Sequence, residues 1–326
     1  MQLNNNIWGQ NEVNDSILIS LLTSDAVKRL KQVMQAGANF LINPNRNVTR
    51  YEHSEGVMLL IKRLGGSWEE QAAGLLHDIS HTAFSHTIDM LMNNKNDNYH
   101  ETVKEKVVTH FGISEYFLNT PYQLDRILDE KNFLILDQPQ PNLCADRIDY
   151  AVRDMKKLGY ITQAEIEEFL DTLTVINGRI MVTDIESAEW FCIQFHRLVK
   201  NIFMDPTENY YSYLFTRILN YALEICCISM DDLLFGTDSG VLESLYKCDD
   251  SKLKDLLTTF EHRSPIIVDQ KRYEIIVRPK ARVIDPNVYI NNKIGHLSSY
   301  SSLVGKLSAE ICQIAENGLF LRTKRC

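Results

Sequence analysis

The stretch GLLHDISHTAFSH, residues 74–86, sets three histidines and an aspartate into thirteen positions. Five of the nine histidines (His53, His77, His81, His86 and His100) fall within residues 53–100, far more than an even scatter would put there. Neutral imidazole and carboxylate are the ordinary ligands of Zn, Mn, Fe and Ni, whereas hard cations prefer oxygen. His77 and Asp78 are adjacent where a helix should end, and His53 arrives from the helix before it. The run ADRID at 145–149 adds carboxylates from a third segment. Together these residue types suit metal-assisted chemistry on a phosphate, in which a divalent ion polarises a P–O bond and acidifies a water. Singly they have plainer readings. His110, His196, His262 and His296 read as ordinary core or surface histidines, and the His77–Asp78 pair alone is no more than chance. Asp146 alone is equally an acid at a helix start.

The elements that must position these residues are mostly helices. Asn14 or Asp15, then Ser24, look like N-caps in NDSILISLLTSDAVKRLKQVMQAG, with Gly37 just beyond the second helix. Thr49 precedes a helix carrying YEHSEGVMLLIKRL that stops at Gly65-Gly66. Ser67 caps WEEQAAGLLHDI, whose Glu69 and Glu70 suit the positive end of the helix dipole. Further helices are expected near 99–111, 121–130, 143–157 and 162–171, and long helical patterns cover 184–203, 207–230 and 298–316. Apolar alternation around Asn177-Gly178 predicts a two-residue hairpin. KRYEIIVRPKARVIDP reads as one or two short strands broken by Pro279 and Pro286. The expected fold is therefore mainly α, with a small β-hairpin and short C-terminal strands. Residues 1–171 form the helical core carrying the metal site. Residues 172–326 form a helical C-terminal portion with short β elements packed on that core, as a subdomain or as one continuous domain.

Composition narrows the class. With 326 residues, 44% hydrophobic and 24% charged, the chain is that of a globular protein with a sizeable core. A net charge of −9 argues against broad attachment to nucleic acid or an anionic membrane, but leaves room for a small basic pocket. The seven cysteines form no CxxC pair and suit reduced thiols. The start, MQLNNNIWGQNEVND, lacks a secretory pattern, and no run approaches the roughly 18 apolar residues of a membrane span. A cytoplasmic location is the expectation.

RYEHSEGV, AAGLLHDISHTAFSH and NLCADRIDYAVRDMKKLGY, in that order, resemble the HD-domain metal-dependent phosphohydrolases. Within them they are most similar to the deoxynucleoside triphosphate triphosphohydrolase (dGTPase-like) branch, which reads RxEHSxGV, AxLxHDxGHxPFSH, then DxxDY and an RD pair. SDAVKRLKQVMQAG resembles that branch's lead-in helix and QxG turn, so the match runs from about residue 24 to 160. The resemblance implies an HD-domain helical core and a divalent transition metal (Mn, Fe, Zn, Ni or Co), alone or with Mg. The implied ligands are His53, His77, Asp78 and Asp146. It implies that His81 meets a substrate phosphate and that His86, Asp89 and His100 surround the attacking and leaving groups. Asp89 would orient His100 and raise its basicity; the plainer alternative is that Asp89 caps or solvates a helix and His100 begins the next one. By the same resemblance Arg50 and Arg147 reach phosphates, while Tyr150, Asp154 and Gln35 meet the sugar. The implied substrate is a small phosphorylated molecule, a (deoxy)nucleoside triphosphate cleaved to nucleoside and tripolyphosphate, and the implied assembly is a homodimer or tetramer.

Two departures stand against the branch pattern. Ser80 and Ala83 replace its glycine and proline, which bears on the turn. FHRLVKNIFMDPTENYYSYLF offers Arg197 and Lys200, then turns acidic and aromatic where the branch carries cations for the triphosphate, and Pro206 interrupts it. A nucleoside monophosphate or other phosphoester as substrate therefore stays open, as does a catalytically idle, nucleotide-sensing HD protein. A di-iron oxygenase on the same scaffold would need two more histidine ligands, for which His86 and His100 are available. No basic and aromatic platform for nucleic acid is present.

Overall fold

The computed structural model describes residues 1–94 and 96–324. Among these the chain opens with a hairpin of β1 (Gln2–Asn5) and β2 (Gly9–Glu12), which the sequence reading left unassigned. The helices of the first half are α1 (Ser16–Thr23), α2 (Asp25–Arg29), α3 (Arg50–Arg63), α4 (Trp68–Leu76), α5 (Thr87–Leu91), α6 (Tyr99–His110), α7 (Leu124–Leu128), α8 (Ala145–Lys157) and α9 (Gln163–Asp171). Then come β3 (Leu173–Ile176), β4 (Arg179–Val182), α10 (Ile185–Leu198), α11 (Pro206–Glu224), α12 (Met230–Phe235), α13 (Asp238–Lys247) and α14 (Ser251–Glu261). The chain finishes with β5 (Ile266–Val268), β6 (Ile275–Val277), β7 (Asn287–Ile290), β8 (Lys293–His296), α15 (Ser302–Asn317) and β9 (Leu319–Thr323). The fold is mainly α.

Local chemistry explains most boundaries. Thr49 and Glu52 close a capping box on α3, and Thr162 with Glu165 does the same on α9. Asp15, Ser24 and Ser67 cap α1, α2 and α4. The Asn177-Gly178 turn joins β3 to β4 with both residues at positive φ, the two-residue geometry that matches strand twist. Three expectations overran, the pattern over 207–230 among them, since α11 ends at Glu224. The second helix stops at Arg29 and passes into a tighter turn well before Gly37, and the helix expected over 121–130 spans Leu124–Leu128 only.

The core is built around α3, which packs against both α4 and α8. Val57, Met58, Leu60 and Ile61 of α3 meet Ala72, Leu75 and Leu76 of α4 and Ile148, Val152 and Met155 of α8, all buried. A second cluster gathers Phe84 with Phe215, Leu219, Leu245 and Phe260. Each cluster draws residues from both sides of position 172. Two sheets pack against these clusters: β3-β4-β7-β8 through Ile180, Val182 and Val288, and a three-stranded antiparallel β5-β9-β6 through Leu319 and Leu321. Between β6 and β7, residues 278–286 form no strand, as Pro279 and Pro286 require. Cys144, Cys192, Cys226, Cys227, Cys248 and Cys312 are free thiols, whereas Cys326 lies outside the described residues. No helix among the described residues is long and apolar enough to cross a membrane.

Candidate metal centre and active site

Three helices deliver the cluster. His53 sits one turn into α3, three residues after Arg50, so both project from one face. His77 is the last residue in helical conformation at the end of α4, and Asp78 follows it into the turn. Asp146 stands in the first turn of α8. Asp146 Oδ1 lies 3.0 Å from His53 Nε2 and 3.8 Å from His77 Nε2, and the two imidazole Nε2 atoms are 3.3 Å apart. Asp78 stands slightly further back, at 3.5 Å from His77 Nε2 and 3.7 Å from His53 Nε2, its other contacts being Arg50 Nη1 at 2.7 Å and His81 Nε2 at 3.2 Å.

Whether these residues fit a metal is decided by their outer partners. His77 Nδ1 donates to the Gly74 carbonyl at 2.7 Å, which fixes the tautomer with a lone pair on Nε2. His53 Nδ1 donates to the Asp149 carboxylate at 2.8 Å, with the same consequence. Two lone-pair nitrogens at 3.3 Å repel unless a cation lies between them. The cluster attracts positive charge of either kind: burial opposes protonation of His53, yet hydrogen bonds to Asp146 and Asp149 and the charge of Asp78 push its pKa up to about 9, so a proton on Nε2 and a metal ion compete for the same place. The donor set of two imidazoles and two carboxylates therefore fits a divalent transition metal. A second grouping, Asp137, Cys144 and Asp146, does not fit. Burial pushes the Cys144 thiol up to about 12, and Arg147 rather than a free edge faces its sulfur.

Asp149 was not singled out in the sequence, yet it anchors the site. It is fully buried and accepts from His53, from Arg153 Nη2 at 2.6 Å and from Trp8 Nε1 at 2.6 Å. Its neighbour across the helix pair is Gly56, where a Cβ would stand 2.0 Å from Arg153 Nη2 and 2.1 Å from Asp149 Oδ1. Only glycine lets α3 approach α8 this closely.

The turn after Asp78 holds despite its departures. Ala83 N–H donates to the Leu233 carbonyl at 2.8 Å, a bond that proline could not make. Phe84 and Ser85 both adopt positive φ, held by Phe84 N–H donating to Asp238 at 2.7 Å. This turn aims His81 and His86 toward α6. The His81 ring stacks on His100 at 4.0 Å, and His86 meets both rings edge-on.

A cavity of about 730 Å³ opens over the cluster. Its wall includes Gln35, Arg50, His77, Asp78, His81, His86, His100, Asp146, Tyr150 and Asp154, so most of the residues singled out in the sequence are brought together. Tyr150 and Asp154 follow Asp146 at four-residue steps on one face of α8. Two placements differ from expectation. Arg147 turns away: its guanidinium donates to the Gln138 and Asn142 carbonyls and does not line the cavity, because the loop over 138–142 has no strand or helix of its own to satisfy those carbonyls. Asp89 pairs with His86 Nδ1 at 2.9 Å rather than with His100, and its other oxygen accepts from Tyr99 N–H at the start of α6. His100 instead lies 3.1 Å from Glu101. The sequence reading also missed Arg46, which reaches Glu208 at 2.6 Å and Asp154 at 3.9 Å, and Asn39, Phe203, Lys280 and Arg282 on the wall. None carries a local motif.

Residues 50–153 match the HD domain family. YdhJ, an uncharacterized protein of Bacillus subtilis, is 41% identical over 99% of both chains. A protein of Cordyceps militaris named as a metal-dependent phosphohydrolase, cns2, is 31% identical over 62% of this chain and 60% of its own. A deoxynucleoside triphosphate triphosphohydrolase homolog of Dictyostelium discoideum is 27% identical over 55% of this chain and 40% of its own. The crystal structure of a hypothetical protein from Aquifex aeolicus has the same fold, with a TM-score of 0.72 at 20% identity over 94% of this chain and 93% of that one. A helical scaffold presenting His, His-Asp and Asp at one point defines a metal-dependent hydrolase class. The chain belongs to the HD-domain superfamily of metal-dependent phosphohydrolases and resembles its dGTPase-like branch.

Proposed function

We propose that this protein hydrolyses a (deoxy)nucleoside triphosphate to nucleoside and tripolyphosphate. The observation that carries the reading is a set of buried side-chain atoms without partners: Gln35 Oε1, Asn39 Oδ1, Arg46 Nε, Arg50 Nη2 and His100 Nδ1. All five residues line the one cavity beside the metal cluster. Leaving such atoms unpaired costs about 1–3 kcal/mol each, and these five belong to residues that meet at one wall, where a polar ligand can draw the side chains round to pair them. The cavity volume falls in the range of small-molecule sites.

His53, His77, Asp78 and Asp146 would hold a divalent ion, which when bound would supply Lewis acidity toward a phosphate oxygen and an attacking water. Arg50 and His81 offer N–H groups to the phosphate being cleaved. The His86–Asp89 pair and His100 move the proton that the leaving oxygen requires, with Asp89 fixing the His86 tautomer. Gln35, Tyr150 and Asp154 meet the sugar. The similarity to a protein named as a dNTP triphosphohydrolase homolog supports this substrate. The expected homo-oligomeric, cytoplasmic character belongs to the same reading.

The test is turnover against dNTPs, NTPs, dNMPs and a phosphodiester with Mn, Mg, Fe, Co or Ni, products being separated, for wild type and Asp78→Ala. Deoxynucleoside plus tripolyphosphate, lost in the variant, supports the reading. Orthophosphate from monophosphates moves it to a smaller substrate. No turnover of any substrate with metal bound favours a nucleotide sensor.

A further inference from the structure

The cavity wall carries eight carboxylates against five arginines and lysines, a poor match for a polyanion unless some cations remain uncommitted. Two of the five already have a carboxylate partner: Arg50 binds Asp78 at 2.7 Å, keeping only Nη2 for the phosphate beside the metal, and Arg46 binds Glu208 at 2.6 Å. The helix that should have supplied others sends them elsewhere. Arg197 stacks on Tyr160 with its guanidinium carbon 3.9 Å from the ring centre, and Lys200 pairs with Glu310 at 2.6 Å. The acidic and aromatic residues that follow are structural. Asp205 caps α11, Tyr210 donates to Glu274 and Tyr211 to the Ser264 carbonyl.

Cations reach the cavity from the strandless segment before β7 instead. Arg282 lies over the Phe203 ring, its guanidinium carbon 5.6 Å from the ring centre. Its charge acts on the Tyr150 hydroxyl, and among the described residues its guanidinium has no hydrogen bond or ion pair. Lys280 stands at the mouth, 3.7 Å from Asp97 and 3.3 Å from the Asn96 carbonyl. The segment is fixed from behind. Val283 N–H donates to Gln140 Oε1 at 3.1 Å, and Asp285 N–H donates to the Pro141 carbonyl at 2.9 Å. The loop that receives them is the one Arg147 braces through Gln138 and Asn142.

We propose that Lys280 and Arg282 form the subsite for the outer phosphates of the triphosphate chain, an inference that rests on the triphosphate reading above. From Asp146 to Tyr150 is one step of about 6 Å along α8, and Arg282 lines the same cavity close enough to act on the Tyr150 hydroxyl. An arginine within cation–π reach of an aromatic ring, with its N–H fork unused, suits bidentate binding of a phosphate. Lys131, the other wall cation without an ion pair among the described residues, is exposed at the rim.

The deciding experiment is calorimetric binding of inorganic tripolyphosphate and of orthophosphate to the Mn-loaded protein. It compares wild type, Arg282→Gln (which keeps a planar group over Phe203) and Lys280→Gln, with thermal melts to verify folding. The expected result is at least a tenfold loss of tripolyphosphate affinity for Arg282→Gln, a smaller loss for Lys280→Gln, and orthophosphate affinity within twofold of wild type. Unchanged tripolyphosphate binding, or a parallel fall for both anions, overturns the subsite, as does a wild type that binds the two anions alike. Because no turnover is read, the subsite can stand while dNTP hydrolysis fails in the separate assay, and the reverse.

Discussion

At the scale of single residues, the two facing imidazole nitrogens are the most demanding feature, and Asp149 is what keeps them so. Its carboxylate can only accept, so the His53 proton stays on Nδ1 and Nε2 is the nitrogen left to face a metal that displaces its other proton. Asp149→Ala is expected to lower metal affinity about 10–100-fold, as loss of an outer partner typically does; competition with a chelator measures it. Affinity equal to wild type would show that His53 orients itself. Asp89 plays the matching part for His86. Asp89→Asn is expected to cut kcat by roughly 10²-fold or more while metal loading stays intact, since the amide keeps the volume but no longer fixes the tautomer. A kcat within threefold of wild type would remove His86 from proton transfer.

At the scale of elements, the site depends on how closely α3 and α8 meet and on the turn after α4. A methyl at position 56 has no room beside Arg153 and Asp149, so Gly56→Ala is expected to cost about 1–3 kcal/mol of stability and to weaken metal binding with it. Denaturant melts and metal titration on the same preparation test this, and a variant of native stability would refute the packing argument. The turn has its own titration. Asp238 accepts from Phe84 and Met34 N–H groups, but burial outweighs these bonds and the nearby Arg29 and Arg50, pushing its carboxyl up to about 7. The folded value lies above the ordinary 3.8. The unfolded chain therefore releases this proton first, and stability present in acid is lost as pH rises from about 4 to 7. The difference in melting temperature between wild type and Asp238→Asn should shift against wild type over that interval; a flat difference would place the carboxyl at its ordinary value. The legible elements were those with local signals: the capping boxes of α3 and α9, the Asn177-Gly178 hairpin and the histidine motif itself. The turn was illegible because Phe84 and Ser85 owe their backbone conformation to Asp238, some 150 residues away.

At the scale of the molecule, the same division holds. His53, His77, Asp78 and Asp146 could be read as a set because their motifs sit in order, whereas Arg46, Phe203 and Arg282 converge only through tertiary packing. Arg147 misled because its neighbours in sequence gave no hint of the carbonyls at Gln138 and Asn142 that claim it. Chelation should lower the melting temperature and restored metal should raise it in proportion to the logarithm of its concentration, since a ligand that binds only the folded state stabilises it. A melt indifferent to metal would mean the ion does not bridge α3, α4 and α8. The bond from the Trp8 indole to Asp149 has a further consequence, for the order of assembly. It joins residues 141 positions apart, so a growing chain can seat its first hairpin on α3 through Asn5–Glu55 and Lys62–Glu12 but cannot close this last bond until α8 has been made. The outer support of His53 is thus completed later than the hairpin's own docking, and closing so long a loop slows folding. A chain shortened to begin at residue 14 would keep every ligand and still mature poorly.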